Sequence, residues 1–265
     1  WRGYPFQRAF FWAGRGSNGK SYLGTVLTWA LGADNVSQVP LHRLTEDRFA
    51  ASELHRRLLN VSGELGYQDL ERTDLLKSLT GGDFVTADRK YREPVRFRNH
   101  AKLLFLGNAL PLTRDTTDAF FRRAFIVEFD CVFAEDPKVE AEFELLTPEA
   151  RRREFAWLLT RAAATLQRLR ADGFVFGGDL PLAERRGRYL SLSDPLRQFI
   201  AECCEVTRST DDYIYKFEFV QALNEWLRER GLNEYSDKRL GQAMKSMGFE
   251  DGQRGEKRWF AWIGL

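Results

Sequence analysis

Hydrophobic and polar positions fall into two regimes along the chain. Up to residue 133, short apolar runs alternate with amphipathic stretches, and beyond it the pattern is mainly helical. "RAFFWA" at 8–13 predicts a short buried strand, since a compact apolar run bounded by polar residues suits a strand covered on both faces. "KSYLGTVLTWALG" predicts a helix ending near Gly32, and "RRLLNVSGEL" a second buried strand, Leu58 to Ser62, with an acid just past its end. "LERTDLLKSLTGGD" sets Leu70, Leu75, Leu76 and Leu79 on one side of a helix stopped by Gly81 and Gly82. "FVTADRKYREPVRF" alternates outward from a charged centre and predicts a hairpin with residues 88–93 at its tip. "AKLLFLGN" and "RRAFIVEF" predict two more buried strands. The alternation predicts an α/β core, a mostly parallel sheet with helices on both faces.

After Phe133, "PEARRREFAWLLTRAAATLQRLRADG" predicts one long amphipathic helix ending at Gly173, and "DPLRQFIAECCEV" begins another. "YKFEFVQALNEWLRERG", "SDKRLGQAMKSMG" and "RWFAWIGL" then predict helix, helix and a β-hairpin around "DGQRGEK". Helix, turn, helix and a two-stranded wing form a winged-helix pattern. The expected division is 1–133 as the core, 134–195 as a helical linker or lid, and 196–265 as the winged-helix domain.

Composition narrows the options. Hydrophobic residues make up 43% and charged residues 29% of the 265, which fits a globular protein. No apolar run approaches the ~20 residues of a membrane-spanning helix, so no membrane partner is expected. A net charge of +2 confines any nucleic-acid contact to local patches. Cys131, Cys203 and Cys204 form no disulfide framework and suit a reducing compartment, and His42, His55 and His100 lack metal-ligand spacing. The chain begins at Trp1, which predicts a piece of a longer polypeptide.

The candidate chemistry starts at "GRGSNGKS". Gly14, Gly19, Lys20 and Ser21 stand at phosphate-loop spacing, with Gly16, Ser17 and Asn18 completing the loop. Glycines let backbone N–H groups approach phosphate oxygens, and the following helix adds its positive end. Lys20 would reach the β- and γ-phosphates of ATP, and the Ser21 hydroxyl would ligate Mg²⁺. Glu64, past a buried strand, is placed to hold Mg²⁺ or polarise water, unless it is a solvated strand-end acid. Asn108 ends "LLFLGN" and could sense the γ-phosphate or serve as a turn residue before Pro111. Arg122 and Arg123 follow "DAFF", where one could complete a neighbour's site or both could be solvated.

In this order, "GRGSNGKS", "LLNVSGEL", "KSLTGGDFVTADRKYREPVRF", "LLFLGNALP" and "DAFFRRAFIVEF" resemble motifs A, B, B′, C and the arginine-finger segment of superfamily III helicases. The phage, plasmid and poxvirus primase-helicases are the type most resembled. The resemblance covers 8–130 well and implies an AAA+-type ATPase core that forms a ring, usually a hexamer, and moves 3′→5′ on single-stranded DNA. By position it makes Lys20 and Ser21 the phosphate and Mg²⁺ residues, Glu64 the motif B acid and Asn108 the motif C sensor. It favours Arg123 over Arg122 as the finger. Gly63 stands where many relatives carry a second acid, so the division of work at Glu64 stays open. A primase or primase-polymerase domain in the same polypeptide, forked duplex as substrate, and a bacterial, archaeal or viral replication site as location are further implications.

Residues 89–102 hold Arg89, Lys90, Arg92, Arg96, Arg98 and Lys102 against Glu93 alone, with Tyr91 among them. Cations can track phosphates while a ring stacks on a base. The resemblance sends this hairpin into a ring's channel, with Lys90 as the main contact supported by Arg89 and Tyr91. Residues 211–265 carry nine Lys or Arg and ten acids, so that region is not broadly basic. Arg239, Lys245, Arg254, Lys257 and Arg258 could still bind duplex, or the region could dock a protein. Two functions compete: a ring-forming ATP-driven helicase, and an ATP-switched replication initiator or origin-binding module without processive unwinding. Small-molecule phosphotransfer is disfavoured, because nothing resembles a small-acceptor pocket.

Overall fold

The computed structural model describes residues 3–14, 16–65, 70–133, 148–207, 212–230, 232, 234–254, 257–261 and 263–264. The chain divides into two units, Trp1–Leu190 and Ser191–Leu265. No helix among the described residues is long and apolar enough to cross a membrane.

The first unit is an α/β fold. Its strands are β1 (Ala9–Ala13), β2 (Val36–Ser37), β3 (Leu59–Leu65), β4 (Phe84–Arg89), β5 (Arg92–Arg98), β6 (Lys102–Gly107) and β7 (Ala124–Glu128). Five of them form one sheet in the order β2-β3-β6-β1-β7, and every neighbouring pair is parallel. The alternation in "AFFWA" fixes which side chain meets which layer. Phe11 and its register partner Phe105 point to one face, where Tyr189, Phe120 and Phe121 close around them. Phe10 and Trp12 point to the other face, with Leu104, Leu106, Leu27 and Leu31. Burying each such side chain is worth roughly 1.5–3 kcal/mol.

The helices of this unit are α1 (Lys20–Leu31), α2 (Leu41–Glu46), α3 (Asp74–Gly81), α4 (Asp118–Phe121), α5 (Pro148–Ala171) and α6 (Leu182–Ser193). Leu27 and Leu31 belong to α1, while Phe120 and Tyr189 come from α4 and α6, so helices cover both faces. Gly24 brings α1 close to the sheet: a Cβ there would stand 3.1 Å from Val61 Cγ1 and 3.4 Å from Leu106 Cδ2. Asn60 sits fully buried within an apolar run. Its amide oxygen accepts from Ser37 Oγ (2.9 Å) and Val39 N (2.8 Å), and its amide nitrogen donates to Val39 O (3.0 Å). This ties the connection after β2 to β3. Leu70 is not part of α3: it forms a bridge with Thr113 and its N–H donates to Leu112 O at 2.6 Å. The helix starts only at Asp74, because Thr73 and Lys77 are held by Asp115.

The second unit contains α7 (Pro195–Cys203), β8 (Glu205–Val206), β9 (Tyr213–Tyr215), α8 (Lys216–Glu229), α9 (Asp237–Ser246), β10 (Asp251–Arg254), β11 (Lys257–Ala261) and β12 (Ile263–Gly264). Asp194 caps α7 by accepting from Leu196 N at 3.0 Å, and Ser236 caps α9 by accepting from Arg239 N at 3.3 Å. A separate core gathers Phe199, Phe219, Leu223, Leu227, Leu240 and Phe260. Strands β10, β11 and β9 form an antiparallel sheet in that order, and β12 pairs with β8.

Candidate functional site

β1 delivers the chain into the glycine loop at the C-terminal edge of the sheet. Gly14 has φ +153°, and a Cβ there would lie 2.4 Å from Phe129 O and 2.6 Å from Asn18 Nδ2. Only glycine fits. The buried Asn18 donates through Nδ2 to Phe129 O at 3.0 Å and accepts through Oδ1 from Lys20 Nζ at 2.8 Å. Lys20 Nζ also donates to Gly14 O at 2.7 Å, and burial pushes its pKa below the usual lysine range. Gly19 adopts the left-handed conformation (φ 81°, ψ 0°), which turns the chain directly into α1 at Lys20. Phe133 N donates to Ser17 O at 2.8 Å from the side of β7.

The crest of this loop is open. Gly16, Ser17 and Ser21 are exposed, and a Cβ on Gly16 would have nothing within 4 Å. An ammonium group held over the loop, an open glycine crest, a helix N-terminus and an exposed hydroxyl fit the demands of a magnesium-bound polyphosphate.

The sheet order sets β3 and β1 on either side of β6, all parallel. Their C-terminal ends therefore share the loop's edge. Asn108 follows β6 directly and is exposed. Glu64 lies in β3, and its side chain is outside the described residues. A cavity of about 420 Å³ runs beside α1, lined by Ser21, Thr25, Gln38, Ser62, Gly63 and Leu106 among others. It joins the loop serine to the end of β3.

The two arginines after α4 have opposite surroundings. Arg123 is buried (7% exposed). Its Nε donates to Thr80 Oγ1 at 3.1 Å and its Nη1 to Ala119 O at 2.6 Å. Burial, reinforced by Arg122, lowers its pKa. Arg122 is exposed, and its Nη2 reaches Gln7 Oε1 at 3.4 Å. Its carbonyl accepts from Arg8 Nη1 (2.5 Å) and Arg185 Nη1 (2.8 Å), two guanidiniums that also bind Asp179. No sequence spacing signalled this clamp, because its members lie at positions 8, 122, 179 and 185.

β4 and β5 form the expected hairpin, with a two-residue tip, Lys90 and Tyr91, where the sequence pattern suggested six. Arg89 pairs with Arg92 after a shift in register. Tyr91 is fully exposed (103%) at φ 58°. A bulky residue in that conformation stores strain of order 1–3 kcal/mol, and such strain concentrates at ligand-contacting positions. Arg89 Nη2 stands 3.1 Å from His55 Nδ1, and burial followed by the Arg89 charge lowers the His55 pKa. Lys90 lies 6.0 Å over the Phe49 ring. Lys102 leaves this group: its Nζ donates to Gly3 O and His100 O, both at 2.7 Å, and sits 4.7 Å over the Tyr4 ring. Its place at the start of a central strand puts it inside, and burial lowers its pKa to about 8.

In the second unit Arg239 and Lys245 are exposed on α9, with Arg239 stacked 4.5 Å over Tyr235. The side chains of Arg254, Lys257 and Arg258 lie outside the described residues.

Residues 12–123 match a family of unknown function, DUF5906. A helicase-named protein of Acanthamoeba polyphaga mimivirus, L207/L206, is 33% identical over 123 residues, covering 44% of this chain and 13% of the relative. A second helicase-named protein, 022R of Frog virus 3 (isolate Goorha), is 22% identical over 271 residues, covering 92% of this chain and 27% of the relative. The chain thus spans well under a third of these relatives' lengths. The apo structure of the NrS-1 C-terminal region overlays at TM-score 0.43 and 12% identity, covering 98% of this chain and 67% of that one. A structure of JCV helicase gives TM-score 0.32 at 17% identity, covering 46% and 36% of the two chains. These overlays are loose.

Proposed function

We propose that this chain, which is of the superfamily III primase-helicase type and is similar to helicase-named viral proteins, is the ATP-driven motor of a DNA helicase. One observation carries the reading: a phosphate loop with an internally oriented lysine opens at the sheet edge where β3 and β6 also end. Lys20 would hold the β- and γ-phosphates, with Gly14, Gly16, Ser17, Asn18 and Gly19 forming the cradle. Ser21 and Glu64 would hold Mg²⁺, which supplies charge neutralisation at the phosphates. Asn108 would position the attacking water.

The motor would act as a ring, hexameric by resemblance, moving 3′→5′ on single-stranded DNA within a longer polypeptide that carries a primase. Its location would be a viral or prokaryotic replication site. Lys90, Arg89 and Tyr91 would grip the strand, and the second unit would act as a winged-helix module. Arg123 spends its guanidinium on Thr80 and Ala119 within its own protomer. Arg122, exposed on a braced backbone, is therefore the better candidate for a charge offered to a neighbour's γ-phosphate, worth ~10³–10⁵ in rate.

Mixing Lys20→Ala with Arg122→Ala protein tests this. Each alone should hydrolyse almost no ATP, and partial recovery on mixing is expected if sites are shared between subunits. No recovery despite proven co-assembly would reject shared sites. Duplex binding with negligible DNA-stimulated turnover would favour the initiator alternative.

A further inference from the structure

We infer that the outer face of the β4–β5 hairpin carries a second single-strand contact, built from Phe84, Arg96 and Arg98 and separate from the Lys90–Tyr91 tip. This inference rests on the helicase reading and deepens it by naming how the strand is held behind the tip. The hairpin has two unlike faces. Val85, Ala87 and Phe97 are buried beneath it, while Phe84, Thr86, Arg96 and Arg98 face solvent. Register sets Phe84 opposite Arg98 and Thr86 opposite Arg96. Both guanidiniums lie over the Phe84 ring, at 4.4 Å for Arg98 and 4.7 Å for Arg96.

Phe84 stays 54% exposed beneath them. Among the described residues neither Arg96 nor Arg98 makes an ion pair. Of the acids nearby in sequence, Asp88 is paired with Arg48 at 3.3 Å, and among the described residues neither Asp83 nor Glu93 forms an ion pair with Arg96 or Arg98. An exposed ring flanked by two planar cations with open donor edges suits a strand offering alternating phosphates and base faces. From Phe84 to the tip is about 16–20 Å at roughly 3.3 Å per strand residue. A base stacked on the guanidinium planes that Phe84 supports would leave Tyr91 free for another, so the two contacts would follow one strand along the ribbon.

The test is fluorescence anisotropy of labelled oligo(dT) on the full 265-residue chain, titrated with salt, for wild type, Arg96→Gln/Arg98→Gln, Phe84→Ala and Lys90→Ala. Each lost phosphate contact lowers the salt slope by ~0.7 for single strands, so the double variant should lose about 1.4. Phe84→Ala should weaken binding roughly five- to a hundredfold with the slope unchanged. Circular dichroism and melting curves for each variant exclude unfolding. Normal slope and affinity in the double variant and in Phe84→Ala, with Lys90→Ala impaired, would overturn this inference alone. Failure of wild type to bind oligo(dT) would overturn both this inference and the helicase reading. Competition by polyglutamate as effective as by oligo(dT) would assign the face to an acidic protein partner and also overturn it.

Discussion

Gly107 offers a test of the site that touches no charge. It closes β6 beside Leu65, where the β3–β6 ladder is already irregular between Ser62 and Leu65. A methyl group at Gly107 would stand 2.4 Å from Leu65 Cβ, 2.8 Å from Leu65 O and 3.1 Å from Ala109 O. Packed carbons prefer ~3.5–4.0 Å, so the strand ends would have to part by about 1 Å. None of these atoms is the free end of a flexible side chain, so the backbone must move. Such overpacking costs ~1–3 kcal/mol, sometimes more. The separated strands are the ones that carry Glu64 and lead into Asn108, and a displacement of ~1 Å can cost about 100-fold in rate. Gly107→Ala should therefore lower kcat for ATP by roughly 10–100-fold, with urea midpoints shifted to lower concentration. Steady-state turnover and urea denaturation measure the two quantities. Wild-type stability would refute the steric argument; wild-type turnover with reduced stability would show that the spacing of these strand ends does not matter to catalysis.

Three other perturbations have worked-out signs. Arg123→Ala removes a buried charged donor from Thr80 and Ala119 and should cost about 2–3 kcal/mol, whereas Arg122→Ala should stay within ~0.5 kcal/mol; equal urea midpoints would contradict the assigned surroundings. Asn60→Ala leaves the amide of Val39 and its carbonyl without their side-chain partner and should cost about 2–3 kcal/mol by the same assay. Lys102 titrates near pH 8 when folded and near ~10.4 when unfolded. Between those values the unfolded chain binds more protons, so this group's contribution to stability rises with pH, by about 2–3 kcal/mol across the window. Wild-type stability measured against Lys102→Met should therefore increase from about pH 7 to pH 9.5, and a pH-independent difference would refute the assigned environment. Higher pH is avoided because Tyr4 and Tyr189, whose pKa values burial raises, lose stability as pH climbs past the unfolded tyrosine value of ~10.

Local signals in the sequence carried much of the core. "AFFWA", "KLLFLG" and "AFIVE" read as buried strands because both faces of a parallel sheet are covered. The glycine loop was legible because its glycines, lysine and serine stand within eight residues. Long-range partners were not. Leu70 fits a helical stripe in sequence, yet the pairing of its backbone with Leu112 and Thr113 removes it from the helix. Lys102 continues a basic run by composition, but strand geometry turns it onto Tyr4. The contrast between Arg122 and Arg123 depends on Thr80, and the brace on Arg122 depends on Asp179 and Arg185. No periodicity connects such distant positions.

The same strand, β7, meets both halves of the proposed chemistry. Immediately before it, Arg123 is locked inside, its carbonyl accepts from Ala9 N at 2.7 Å, and Arg122 faces out. Immediately after it, Phe129 O accepts from Asn18 and Phe129 N donates to Ala13 O at 2.8 Å. Five residues of strand, paired throughout with β1, separate the two ends. A short strand paired along its whole length with one neighbour transmits displacement better than a loop, because bending it breaks ladder hydrogen bonds that have no alternative partner in the sheet. Phosphates competing for Lys20 would weaken its bonds to Gly14 O and Asn18 Oδ1, and Asn18 holds Phe129 directly. In a ring, the occupancy of one protomer's loop would then bias the arginine that it offers to the next.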